Sequence, residues 1–124
     1  MKKLIKRVAA QSNAKLKRLG EALGINLTLP ITELLMQVAW QVEQLSSAAG
    51  LQIMRVAMDE EVRRLAGEER KHDGQYHRWG SQPGYVMYAG QKVPVQRPRV
   101  RKRARRGEVE LQSYGAFQQD IRLD

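Results

Sequence analysis

The sequence predicts an α+β chain: about three N-terminal helices, then a small antiparallel β-hairpin or three-stranded sheet with a basic tail. Three observations carry this. Apolar residues recur at three- and four-residue spacings through most of the first 67 positions, which is the period of a helix face. From Asp73 onward the composition changes, and Gly74, Gly80, Gly84, Gly90 and Gly107 with Pro83, Pro94 and Pro98 break the chain into short pieces. Tyr85–Tyr88 and Lys92–Arg97 flank Ala89-Gly90-Gln91, the pattern of two strands joined by a tight turn.

The first helix is read from Leu4, Ile5, Val8, Ser12, Leu16, Leu19 and Leu23, with Lys2, Lys3, Lys6, Arg7, Lys15, Lys17 and Arg18 mostly off that stripe. Gly20 and Gly24 weaken its end, so residues 1–24 form a basic amphipathic unit. Pro30 disfavours helical geometry at Leu29 and separates this unit from a helical scaffold over residues 31–67. There a second helix is expected after Thr32, a hydroxyl N-cap, with Glu33 in its first turn. Leu34, Leu35, Val38, Val42 and Leu45 make its stripe, and Met36 and Trp40 widen it toward a second neighbour. Ser46, Ser47 and Gly50 mark a break. A third helix carries Leu51, Met54, Met58, Val62 and Leu65 and ends at Gly67, with Asp59, Glu60 and Glu61 expected on a solvated face. The same stripe fits a dimer seam through residues 33–66 and an intramolecular three-helix bundle equally well.

Residues 74–124 are expected to hold the hairpin and an arginine-rich segment. Pro94 and Pro98 remove donors from one side of the second strand, which makes Lys92–Pro98 an edge strand pairing through Val93, Val95 and Arg97. Glu108–Gln112 alternates as a third strand, placed on the other edge of Tyr85–Tyr88. Ser113 is a candidate cap for a last helical segment running to Asp124.

Charge narrows the class of partner. The 124 residues carry a net charge of +9, distributed as +7 over residues 1–20, −4 over 21–73 and +6 over 74–124. Two basic arms thus flank a neutral-to-acidic scaffold. With no cysteine there is neither a disulfide framework nor a thiolate metal site, which fits a reducing cytoplasm. No run of eighteen apolar residues occurs, and the positive start lacks the apolar core and cleavage pattern of a secretory signal. An acid-free basic start also has the composition of an organellar transit peptide, although rich in lysine rather than arginine.

The densest local feature is Arg97-Pro98-Arg99-Val100-Arg101-Lys102-Arg103-Ala104-Arg105-Arg106, seven cations in ten residues without an acid. Such a run repels itself unless a polyanion neutralises it, and counterion release from nucleic acid supplies that free energy. In a strand, Arg97, Arg99 and Arg101 share one face at roughly 6.6 Å intervals, near the phosphate repeat of one nucleic-acid strand. A solvated run or a nuclear-localisation-like tract has the same composition. Tyr76, His77, Trp79, Tyr85 and Tyr88 lie close by, interleaved with Arg78 and Lys92, as in stacking platforms. Trp79 and one tyrosine are expected to form the small hairpin core, whereas Arg78 is expected to face a ligand. The candidate nucleic-acid contacts are Lys3, Lys6, Arg7, Arg78, Lys92, Arg97, Arg99, Arg101, Lys102, Arg103, Arg105 and Arg106. His72, Asp73 and His77 make a poor metal set without a thiolate, and no catalytic residue, phosphate loop or dinucleotide fingerprint is found.

The stretch from Tyr76 to Arg101 resembles the N-terminal region of Mutator-type insertion-sequence transposases. Tyr76, Arg78 and Gly80 match a Tyr-x-Arg-x-Gly element, and Val93, Val95, Arg97, Pro98, Arg99 and Arg101 match the strand-and-arginine run that follows it. Glu60-Glu61-Val62 and Leu65-Ala66-Gly67 resemble the preceding helix, while Glu108–Leu111 and Ser113–Phe117 look like the lead-in to the rest of such a protein. The likeness covers about residues 33–120. It implies a prokaryotic, cytoplasmic, nucleoid-associated DDE transposase that binds terminal inverted repeats of its element during transposition. In that family a downstream ribonuclease-H-like domain holds the Asp, Asp and Glu and the magnesium they bind. None of the acids here maps to that triad, so the expectation is a DNA-binding fragment: a truncated frame, a first frame or an excised domain. A non-enzymatic RNA- or ribosome-associated protein is the alternative, and a membrane-surface module built on the first helix is a third class.

Overall fold

The computed structural model describes residues 17–45, 47–67, 75–104 and 107–119, and within them the chain is α+β as the sequence predicts. Residues 17–22 are helical; the rest of the expected first helix, residues 4–16, lies outside the described residues. Helix α1 spans Ile31–Gln44, α2 spans Ser47–Ala66, and a short α3 spans Gln112–Phe117. Between α2 and α3 come strands β1 (Tyr76–Tyr88), β2 (Gln91–Lys102) and β3 (Glu108–Val109).

Helix α1 starts two residues earlier than expected. Pro30, in extended geometry, is its N-cap, and its carbonyl accepts the Leu34 N–H at 2.8 Å. Thr32 lies inside the first turn and caps nothing, because the break imposed by Pro30 already fixes where helical geometry begins. The loop before it is a local structure of its own: Asn26 Oδ1 accepts the Thr28 N–H and hydroxyl at 3.0 and 2.6 Å. The Asn26 N–H donates to Gln37 Oε1 at 2.6 Å, tying the loop to α1. Leu34, Val38 and Val42 are buried as expected. Met36 and Trp40 do not widen the packed stripe, for both are largely exposed.

Leu45 is extended and ends α1, and α2 begins at Ser47. Gly50 lies within α2, beneath the Tyr88 ring, where a β-carbon would come within 2.7 Å of it. Helix α2 touches α1, both long strands and α3. Ile53, Met54, Val56, Ala57 and Met58 therefore enter the main core, with Leu34, Val38, Val42, Val86, Tyr88 and Phe117. Apart from Ala57, each such side chain contributes on the order of 1.5–3 kcal/mol by leaving water. Central placement also corrects the reading of its acids: Glu60 and Glu61 are buried, not solvated. The helix ends at Gly67, whose φ of +77° is the left-handed conformation that terminates a helix.

Strands β1 and β2 are joined by Ala89-Gly90, both at positive φ (53° and 77°), with Tyr88 opposite Gln91. That is the mirror-image turn whose twist suits a two-residue hairpin. Strand order is β1-β2-β3, so β2 is central and β3 pairs with it, not with β1. The prolines explain where. Lys102 N–H faces β3, donating to the Gly107 carbonyl at 3.2 Å, while Arg103 N–H faces β1, reaching the Gln75 carbonyl at 2.8 Å. By alternation Pro94 and Pro98 sit on the β3 side, and β3 attaches beyond them, at Val100 and Arg101. Residues 92–98 keep the open edge the prolines foretold; only the end of the strand is covered. Strand β3 stops at Val109, because Leu111 is buried and Gln112 opens α3.

The hairpin is also irregular. Arg78 pairs with Val100 and Ser81 with Pro98, so Trp79 and Gly80 together stand opposite Arg99. This β-bulge, with Gly80 at φ +71°, increases the local twist. Near the turn, Val93 and Val95 pack against the main core. Beyond the bulge Val100 is buried instead, with Val62 and Leu111, and it lies on the other side of β2. One face of β2 is thus apolar near the turn and carries Arg97, Arg99 and Arg101 farther along.

Helix α3 is capped from a distance. Leu111 is its N-cap residue and supplies no side-chain bond, and Ser113, expected as the cap, is wholly buried inside the helix. Glu61 of α2 does the capping: Oε2 accepts the Gln112 N–H at 2.7 Å, and Oε1 accepts the Ser113 N–H and hydroxyl at 2.8 and 2.7 Å. The expected run of this helix to Asp124 ends at Phe117, and residues 120–124 lie outside the described residues.

Candidate nucleic-acid interface

The arginine-bearing face of β2 brings together three of the described candidate residues, Arg97, Arg99 and Arg101. Arg101 stands opposite His77 in β1 and opposite Glu108 in β3. Its guanidinium lies over the Trp79 indole, 4.3 Å from the ring centre, and His77 stacks on the same indole at 5.5 Å with a 31° tilt. Trp79 remains 44% exposed. It is therefore not the hairpin core residue expected from the sequence; Tyr88 fills that place, with its hydroxyl 3.5 Å from the Val42 carbonyl. The bulge is the reason, since it turns Trp79 to the side where Arg101 projects.

Arg97 and Arg99 continue the row toward the turn. Arg97 donates to Gln82 Oε1 at 2.8 Å and its guanidinium lies 5.3 Å from the centre of the Tyr114 ring. Arg97 Nη2 is 3.5 Å from Glu108 Oε2, and Arg99 donates to Glu108 Oε1. The Arg99 hydrogen bond and the nearby Arg97 charge hold the Glu108 carboxyl below its ordinary value, against a smaller upward push from burial. One carboxylate thus orders two guanidinium groups on a partly exposed face. Sequence pattern placed Glu108 in a strand but gave no sign of this role, because its arginine partners are set by the antiparallel pairing of β3 with β2. Lys102, on the other side of the strand by alternation, and Arg103, just past its end, are exposed.

Other candidates lie apart from this row. Lys92 is exposed beside the turn, with Nζ 4.8 Å from the centre of the Tyr85 ring. Arg78, expected to face a ligand, is drawn inward: its Nη2 donates to the Gly67 carbonyl at 3.2 Å, and Nε is buried without a partner. It fastens β1 to the end of α2. Lys3, Lys6, Arg7, Arg105 and Arg106 lie outside the described residues, as do His72 and Asp73. Among the described residues no group of three acids, histidines or cysteines is placed to hold a metal ion, and no helix is long and apolar enough to cross a membrane.

Comparison with models of known protein families, with curated proteins and with solved structures returned no match.

Proposed function

We propose that this protein binds nucleic acid through the arginine face of β2, and that it does so as the DNA-binding front part of a Mutator-type insertion-sequence transposase. The observation that carries the first part is the half-exposed Trp79 beneath Arg101, in line with Arg99 and Arg97 on one strand. Guanidinium groups at strand spacing meet successive phosphates, and an accessible indole beside them stacks on a base or wedges into a groove. Lys102 and Arg103 add exposed cations at the end of the same strand, and the basic N-terminal residues supply a second electrostatic arm. The second part is supported by the ordered motif from Tyr76 to Arg101, and it specifies the ligand as the terminal inverted repeats of the element. Binding is what these residues are assigned; strand transfer is not.

The test is binding of the full chain to a labelled terminal-repeat duplex, a random duplex and a structured RNA across a range of salt. The expected result is preference for the terminal repeat, with log affinity falling by about 0.9 per log salt for each phosphate engaged. Arg101→Ala should reduce that slope by about one contact, and Trp79→Ala should cost about 1–3 kcal/mol. Equal affinity for both duplexes removes the transposase-end reading and leaves general binding. Preference for the RNA replaces it with an RNA-associated role.

A further inference from the structure

The planar groups of the arginine face lie along it and do not stand out from it. Arg101 rests on the Trp79 indole, 4.3 Å from the ring centre, and His77 adjoins the same ring. Four residues toward the turn, Arg97 rests on the Tyr114 ring at 5.3 Å. Two guanidinium–aromatic stacks thus recur along one strand at roughly 13 Å, which is four strand residues. Arg97, Arg99 and Arg101 are all half-buried, so each side chain lies against the face. The indole is the accessible part: Trp79 and the four residues after it, Gly80 to Pro83, are exposed. A β-carbon on Gly80 would meet nothing within 4 Å among the described residues, so the space beside the indole is open.

We infer that this face takes unpaired nucleotides, with one base on the Trp79–Arg101 stack and the adjoining phosphates along Arg99 and Arg97. The inference rests on the nucleic-acid reading above and narrows its ligand to a single-stranded stretch at or beside the terminal repeat. Inside a duplex each base is covered on both faces by its neighbours, and an aromatic platform finds no partner there. An unpaired base has a free face, which stacks on aromatic rings and guanidinium planes. Duplex sequence is read instead at base edges, down a major groove about 8.5 Å deep that a helix or ribbon must enter. Guanidinium groups folded onto rings do not project that far. The bulge at Trp79 and Gly80 serves the same end, since it brings the indole to the arginine side and leaves its surroundings open.

The test uses the full chain carrying Trp40→Phe, an exposed position on α1 outside this face, which leaves Trp79 as the single tryptophan. Three DNAs of one terminal-repeat sequence are titrated at fixed salt: the blunt duplex, that duplex with a short single-stranded overhang, and the single strand. Affinity and Trp79 emission are recorded together. The expected result is quenching of Trp79 by the overhang and by the single strand but not by the blunt duplex. The overhang should raise affinity about tenfold for each base stacked. Trp79→Leu should remove the overhang preference while salt-dependent binding and circular dichroism persist. Arg101→Lys, which keeps the charge and loses the plane, should weaken the preference and leave the salt slope in place. Equal affinity and equal quenching for blunt and overhanging duplexes would overturn the inference and leave the nucleic-acid reading standing. An overhang preference that survives Trp79→Leu would do the same. Failure of all three DNAs to bind would overturn both.

Discussion

The carboxylate of Glu61 accepts both the backbone N–H and the hydroxyl of Ser113, at 2.8 and 2.7 Å, across 52 residues of sequence. With the Gln112 N–H on its other oxygen, this one side chain fastens the start of α3 to the central helix. A buried acceptor of this kind satisfies donors that would otherwise be stranded away from water. Glu61→Ala should therefore destabilise the protein by on the order of 3 kcal/mol in urea unfolding, well above an ordinary surface change. Glu61→Gln, which keeps an acceptor oxygen, should cost less. A loss near zero for Glu61→Ala would mean that α3 does not depend on this cap.

Glu60, its neighbour, supports a different junction. It receives Arg63 at 2.8 and 2.7 Å and Arg64 at 2.7 Å, and Arg64 also reaches the Leu27 carbonyl at 2.6 Å. Burial alone would push the Glu60 carboxyl up, but the hydrogen bonds and charges of Arg63 and Arg64 outweigh it and hold the group below its ordinary 4.5. A carboxylate depressed on folding adds stability that is complete above the unfolded value and is lost as pH falls through the folded one. The stability difference between the native protein and Glu60→Gln should thus be widest at neutral pH and close below pH 4.5. A difference that stays constant into acid would show that the charge of Glu60 contributes nothing.

Ala89 holds a conformation suited to asparagine or glycine. At φ 53° it occupies the first central position of the mirror-image turn, where an alanine β-carbon is crowded. Ala89→Asn should stabilise the hairpin by about 1 kcal/mol and raise the melting temperature. A lower melting temperature would show that the turn does not have this geometry in solution.

On the proposed function, Glu108 competes with phosphate for Arg97 and Arg99, since it already engages both. Glu108→Gln should tighten binding to duplex DNA and steepen its salt dependence by about 0.9 for each arginine released. Weaker binding by this variant would instead make Glu108 the group that holds the two arginines in position.

What could be read from the sequence was local. The helix break at Pro30, the end of α2 at Gly67 and the turn at Ala89-Gly90 each follow from residues within a few positions of the event. Leu34, Val38 and Val42 followed from period alone. What could not be read depends on partners distant in sequence. Glu60 and Glu61 look solvated until α2 is known to be central, and Ser113 looks like a cap until Glu61 arrives from another helix. The partner of β3 was misplaced because the prolines govern only the first half of β2. At the basic face, the row Arg97, Arg99 and Arg101 was legible as alternation, whereas the exposure of Trp79 depends on an irregular register that leaves no composition signal.

That irregularity has an arithmetic consequence. From the turn to Ser81 the two strands keep one pairing rule, and continuing it without interruption would set Trp79 opposite Val100, whose side chain is sealed beneath the sheet with Val62 and Leu111. The single extra residue shifts the count by one and delivers the indole to Arg101 instead. Whether this tryptophan belongs to the inside or the outside of the molecule is thus a matter of odd and even. Deleting Gly80 would remove the bulge yet leave Trp79 opposite Arg99, still on the arginine side, so the indole turns inward only if Gly80 stays and pairs in register.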